Sequence, residues 1–110
     1  MLHDAMHALE HHAAFLVPES HPALPGHFPG APVVPGVVVL AEVRAIAARW
    51  LGETLVLAGL PQVKFSAPLL PGRSAQLRLV REGSRLRFAV TGADGLVLAS
   101  GIMALVEPAP

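Results

Sequence analysis

The chain has 110 residues, the length of one domain with a single core. Its formal net charge is zero, which argues against a nucleic-acid binder with its basic excess. Apolar residues make up 53% and charged residues only 15%, more grease than a small soluble monomer needs, and this points to a lipid-like ligand and a buried subunit interface.

Residues 3–12 predict a short helical turn, on which His3, His7 and His11 would fall at i, i+4, i+8 spacing. That is the spacing of a metal-binding stripe, but on so short a terminal segment it reads as a weak surface feature, and neither metal nor cofactor is expected. The start Met1-Leu2-His3-Asp4 lacks the positive n-region of a signal peptide, and the cytoplasm is the expected compartment. No cysteine is present, which excludes disulfides and thiolate chemistry. Ala13 to Val17 is apolar and stops at Pro18, the pattern of a first strand.

From Pro18 to Pro35 the chain is punctuated by Pro22, Pro25, Gly26, Pro29, Gly30 and Pro32. Neither a helix nor a central strand forms through such a run, and long loops of this kind tend to be functional. Gly36 to Leu51 follows, apolar almost all round, alanine-rich in its second half and stopped by Gly52. This predicts a helix buried on every side. The run falls short of the roughly 20 residues of a membrane span and is broken by Glu42, Arg44 and Arg49.

The remainder alternates as strands do. Leu60–Ala67, Ala75–Arg81 and Arg85–Thr91 are predicted half-buried strands, with turns at Glu82-Gly83-Ser84 and Ala93-Asp94-Gly95. Leu96–Val106 is nearly continuous apolar and predicts a strand covered on both faces. The order predicts one α+β domain over 1–110, an antiparallel sheet wrapped around one central buried helix, with 1–12 as an N-terminal segment.

His27 to Val37 carries the chemistry. The segment holds a histidine in a loop stiffened by Pro29, Pro32 and Pro35, and leads directly into the helix. The first helical N–H groups are unpaired and carry partial positive charge, suited to a carbonyl oxygen gaining negative charge. A stiff loop fixes an imidazole against those donors, as a general base requires. The residues alone support a base beside an oxyanion site.

The run His27-Phe28-Pro29-Gly30-Ala31-Pro32-Val33-Val34-Pro35-Gly36-Val37 resembles the histidine motif of bacterial 3-hydroxyacyl-acyl carrier protein dehydratases, His-Phe-Pro-Gly-x-Pro-x-x-Pro-Gly-Val, at every fixed position. Val63 to Gly72 is similar to the family's Phe-x-x-Pro-x-x-Pro-Gly segment, and together the likeness extends over residues 12 to 106. The resemblance implies a hot-dog fold and a homodimer, or a larger or mixed assembly, with active sites at the subunit interface. It implies removal of water from a 3-hydroxyacyl thioester on acyl carrier protein or coenzyme A, as in fatty acid biosynthesis. His27 would take the Cα proton and the Gly36 N–H would hold the thioester oxygen. Phe28, Pro29, Gly30, Pro35 and Val37 would line the substrate. Being shorter at the N-terminus than the best-known members, the chain looks more similar to the short dehydratase-like branch of polyene and specialised-lipid pathways.

One departure matters. The family places an Asp or Glu fourteen residues after the histidine, and that position here is Ala41. Glu42 is the substitute acid, although one step along a helix turns a side chain by about 100°. On an apolar helix Glu42 needs a cleft, water or a basic partner, for which Lys64 is the candidate; the plain alternative is an exposed glutamate. Loss of the acid leaves two further readings: a non-catalytic hot-dog subunit that binds acyl chains or a partner subunit, and an acyl thioesterase. His21 is a candidate for the border of the site, and His12 has no visible partner. Trp50 and Phe88 read as core. Arg44, Arg73 and Lys64 are the candidates for contact with an acidic carrier protein, although most of the arginines read as solvated strand faces.

Overall fold

The computed structural model describes residues 9–22, 24 and 33–106. In chain order the elements are β1 (Leu9–Leu16), α1 (Gly36–Leu51), β2 (Leu57–Phe65), β3 (Ser74–Glu82), β4 (Arg85–Gly92) and β5 (Val97–Leu105). The five strands form one sheet in the order β1-β3-β4-β5-β2, and every pairing is antiparallel. Helix α1 therefore joins the two edge strands. Its buried residues Val38, Val39, Val43, Ile46 and Ala47 share one core with Leu77, Leu79, Leu86, Phe88, Val90 and Met103 of the sheet. This is the α+β arrangement expected of a hot-dog domain.

Local chemistry sets the element ends. Pro35 precedes the helix with its φ fixed at −59°, and its carbonyl accepts the N–H groups of Val38 (2.9 Å) and Val39 (3.2 Å). Gly52 closes the helix in the left-handed region at φ 70°, where its N–H donates to the Ala48 carbonyl at 2.9 Å. The β4–β5 turn is held by the Leu96 N–H donating to Asp94 Oδ1 at 3.0 Å.

Several expectations are corrected. Residues 9–12 are strand, not a helical turn: Leu9 pairs with Arg81 and the ladder runs unbroken to Leu16 opposite Ser74. His11 lies inward in that strand, stacked on Trp50 with ring centres 5.1 Å apart, so the helical histidine spacing is lost; His3 and His7 lie outside the described residues. Strand β2 begins three residues earlier than predicted and runs through Gly59 and Pro61, with two register shifts. An edge strand tolerates both.

The helix is buried on one face only, with Val37, Ala41, Arg44, Ala45 and Arg49 exposed. One five-stranded sheet covers one side of a helix, so a single chain leaves the opposite side open. For the same reason β5 is covered on its inner face alone, and Ser100, Ile102 and Ala104 are only half-buried.

On the outer face of the sheet Arg78 clamps Glu10 with two hydrogen bonds, 2.9 and 3.1 Å, and His12 Nε2 lies 2.6 Å from the same carboxylate. The Arg78 hydrogen bond first, and then that of His12, hold the Glu10 carboxyl down from its ordinary 4.5 to about 2. A depressed carboxyl binds fewer protons folded than unfolded. Its contribution is therefore present above pH 4.5 and is lost as pH falls toward 2. Glu10→Gln is expected to flatten that stretch of the melting-temperature profile slightly. Concentrated salt should do the same to the native protein, because the pair is exposed.

Candidate active site

A cavity of about 430 Å³ opens between the start of α1, the end of β2, the segment that follows it, and the inner faces of β4 and β5. Among the described residues its wall includes Val34, Gly36, Val39, Phe65, Leu69 and Leu98. The volume lies within the range of ligand pockets, and the wall is mostly apolar.

Backbone hydrogen bonds hold this wall together. The Val34 N–H donates to the Leu69 carbonyl at 2.8 Å, which ties the approach to the helix to the segment after β2. Ser66 and Ala67 N–H groups converge on the Leu98 carbonyl at 2.8 and 3.2 Å. Gly72, at φ 80°, turns the chain into β3, and its N–H donates to the Val17 carbonyl at 2.8 Å. The Phe-x-x-Pro-x-x-Pro-Gly segment, Phe65 to Gly72, is thus a strap fixed at three points.

Gly36 sits where the helix meets the cavity, and the Phe65 ring lies against it. A β-carbon at this position would fall 2.7 Å from Phe65 Cζ, closer than packed carbons approach. Pro35 offers no side-chain cap, and the first turn carries no acidic residue. Among the described residues no acceptor meets the Gly36 N–H, although those of Val38 and Val39 are satisfied by Pro35. A donor without an acceptor among the described residues, at the positive end of a helix and in the wall of an apolar cavity, can hold an oxygen that gains negative charge.

The positions named from sequence are dispersed. His27, Phe28, Pro29 and Gly30 lie outside the described residues. Gly36 lines the cavity; Pro35 supports the helix start without lining it; Val37 is 74% exposed. Ala41 lies on the exposed helix face with Val37 and Ala45, whereas Glu42 lies one turn beyond buried Val38 and is half-buried. The Glu42 carboxylate has no partner among the described residues. Lys64 does not supply one. It lies opposite Ser100 and alternates with inward Val63 and Phe65, which puts it on the outer face of the sheet, away from the helix.

Arg44 donates to the Leu55 carbonyl at 2.9 Å and fastens the turn after the helix. Arg73 is exposed at a neighbouring cavity, and His21 forms a turn in which its N–H donates to the Pro18 carbonyl. Phe88 is core, and Trp50 packs against the core under His11. Leu69 and Leu98 are wall residues that sequence reasoning missed. Phe65 stands out in the sequence only as an apolar strand position on the face of Val63 and as the start of the Phe-x-x-Pro-x-x-Pro-Gly segment.

Residues 4–102 match the protein family described as ApeI-like, ApeI dehydratase. Two relatives named 3-hydroxyacyl-acyl-carrier-protein dehydratase FabZ are similar. That of Herpetosiphon aurantiacus is 33% identical over 74% of this chain and 66% of its own length. That of Thermomicrobium roseum is 36% identical over 81% of this chain and 68% of its own. The chain thus spans about two thirds of the relatives it matches. Among solved structures, the dehydratase heterocomplex ApeI:P from Xenorhabdus doucetiae superposes with a TM-score of 0.80 at 24% identity, covering 94% of this chain and 91% of that one. That likeness supports the hot-dog fold.

Proposed function

Because the chain belongs to the ApeI-like dehydratase family, we propose that it removes water from a 3-hydroxyacyl thioester to give a trans-2-enoyl thioester. The acyl group arrives on acyl carrier protein or coenzyme A. The observation that carries this reading is the Gly36 N–H, which has no acceptor among the described residues and stands in the wall of an apolar cavity. In the proposed step His27 takes the Cα proton and the charge passes to the thioester oxygen, which accepts a hydrogen bond from Gly36. The Cβ–O bond then breaks and the hydroxyl leaves as water with a proton from an acid. A fixed donor of this kind is worth about a hundred- to a thousandfold in rate.

Glu42 is the proposed acid, and its half-buried carboxylate, without a partner among the described residues, is compatible with that role. It lies about 9 Å along the helix axis from Gly36, six residues at about 1.5 Å each. A second copy of the chain brings another Glu42. The exposed apolar stripe Val37, Ala41, Ala45 and the open edge strand β2 support a homodimer, which would cover both.

Ala41 favours a second reading, in which the chain is one half of a heteromer and its partner supplies the acid. The neighbour in Xenorhabdus doucetiae is itself a dehydratase heterocomplex. Interconversion of 3-hydroxyacyl and trans-2-enoyl thioesters by the purified protein tests the first reading. Ala41→Asp then separates the two. An increase of roughly tenfold or more, within the range of an added general acid, shows that the chain alone lacks one. An unchanged rate that Glu42→Gln abolishes assigns the acid to Glu42.

A further inference from the structure

We propose that Leu98 sets the length of acyl chain this site admits, as the partition between the reaction cavity and a second cavity behind it. The inference rests on the dehydratase reading above. Strands β4 and β5 pair Val90 with Ala99 and then Thr91 with Val97, so Leu98 is the extra residue of a β-bulge. Consecutive strand residues ordinarily face opposite sides of a sheet. Here Leu98 and Ala99 are both buried, at 8% and 2% exposure, and both line the reaction cavity. Bulges beside active sites re-aim a side chain, and this one turns Leu98 inward.

The second cavity, about 310 Å³, shares Pro68, Leu69 and Leu98 with the first. The Leu98 δ-carbons lie 3.7 and 3.8 Å from the place a β-carbon would take on Gly92, which lines the second cavity. Leu98 thus reaches from one space to the other. Pro68 and Leu69 belong to the strap itself, whereas Leu98 stands on β5 and holds the strap only through its backbone carbonyl, so it is the shared wall residue whose side chain can be shortened with the strap intact. The second space is also lined by Leu70 and Leu96, large apolar side chains left 39% and 54% exposed. An acyl tail running past residue 98 would cover them.

The test is a kcat/KM profile over 3-hydroxyacyl coenzyme A thioesters from butanoyl to dodecanoyl, for the native protein, Leu98→Ala and the milder Leu98→Val. A hydrophobic pocket discriminates one methylene by about ten- to two-hundredfold, so the native profile should fall steeply at one length. Leu98→Ala should move that limit to longer chains, raising the values beyond it roughly tenfold relative to those of the short substrates, with Leu98→Val between. A parallel fall at every length, or an unmoved limit, overturns the proposal. Should Leu98→Ala fail to fold, Leu98→Val decides by the same criterion. No native turnover at any length would reject the dehydratase reading alone. Calorimetric binding of the saturated acyl coenzyme A series then decides the partition: a longer limit in the variant upholds it, and an equal limit rejects it.

Discussion

His27→Ala is expected to lower turnover of a 3-hydroxyacyl thioester by about a hundred- to ten-thousandfold, the usual contribution of a positioned general base. A proton beside a thioester carbonyl leaves only if a base and an oxyanion donor act on the same molecule, and the Gly36 N–H is a donor with no competing acceptor among the described residues. Of the six histidines, His27 alone opens the stretch stiffened by Pro29, Pro32 and Pro35 that leads to that donor. His11 is stacked on Trp50 and His12 lies on Glu10 at the outer face, so neither can substitute. The variant should keep its melting temperature. It should also still bind a saturated acyl thioester, which separates loss of the base from loss of the fold.

Gly36→Ala is the second large effect. The new methyl would lie 2.7 Å from Phe65 Cζ, and 3.0 and 3.1 Å from the two neighbouring ring carbons, so the ring must swing away. Phe65 is 52% exposed and can move, which makes the fold tolerant of the change. Alanine also suits a helix better than glycine. The site is not tolerant, because the methyl and the displaced ring both enter the cavity beside the donor. Misplacement by about 1 Å costs about a hundredfold, and kcat/KM should fall by that order. Adding Phe65→Leu, which removes the colliding atoms, should recover part of the loss. A double-mutant cycle in kcat/KM against melting temperature reads this directly.

Much of the frame was legible in the residues. The helix runs from Gly36 to Leu51 as its composition and the glycine at 52 require, because a left-handed cap is a local demand that sequence states openly. Strands β3 and β4 alternate so regularly that their ends fall within a residue of expectation. Strand β1 was half missed because His11 and His12 belong to neither the apolar nor the charged pattern, and its start is set by pairing with β3. The helix looked buried all round because composition does not show how many sides one sheet can cover.

The cavity was legible in part. The motif from Phe65 to Gly72 signalled a functional segment, and it forms one wall. Leu98 gave no signal, since a bulge is a register shift between strands and leaves no mark in a run of apolar residues. The relation of Ala41 to Glu42 was readable as a turn of about 100°. That it puts alanine outside and glutamate at the flank of the core depends on which helix face meets the sheet.

The proposed dehydration requires a thioester oxygen on the Gly36 N–H with the His27 imidazole beside the acyl Cα. A crystal structure with a non-hydrolysable 3-hydroxyacyl thioester analogue measures this directly. The analogue's carbonyl oxygen is expected within about 3.2 Å of the Gly36 nitrogen, with a His27 ring nitrogen facing Cα. An analogue bound elsewhere, or a His27 ring turned to solvent away from the cavity, contradicts it.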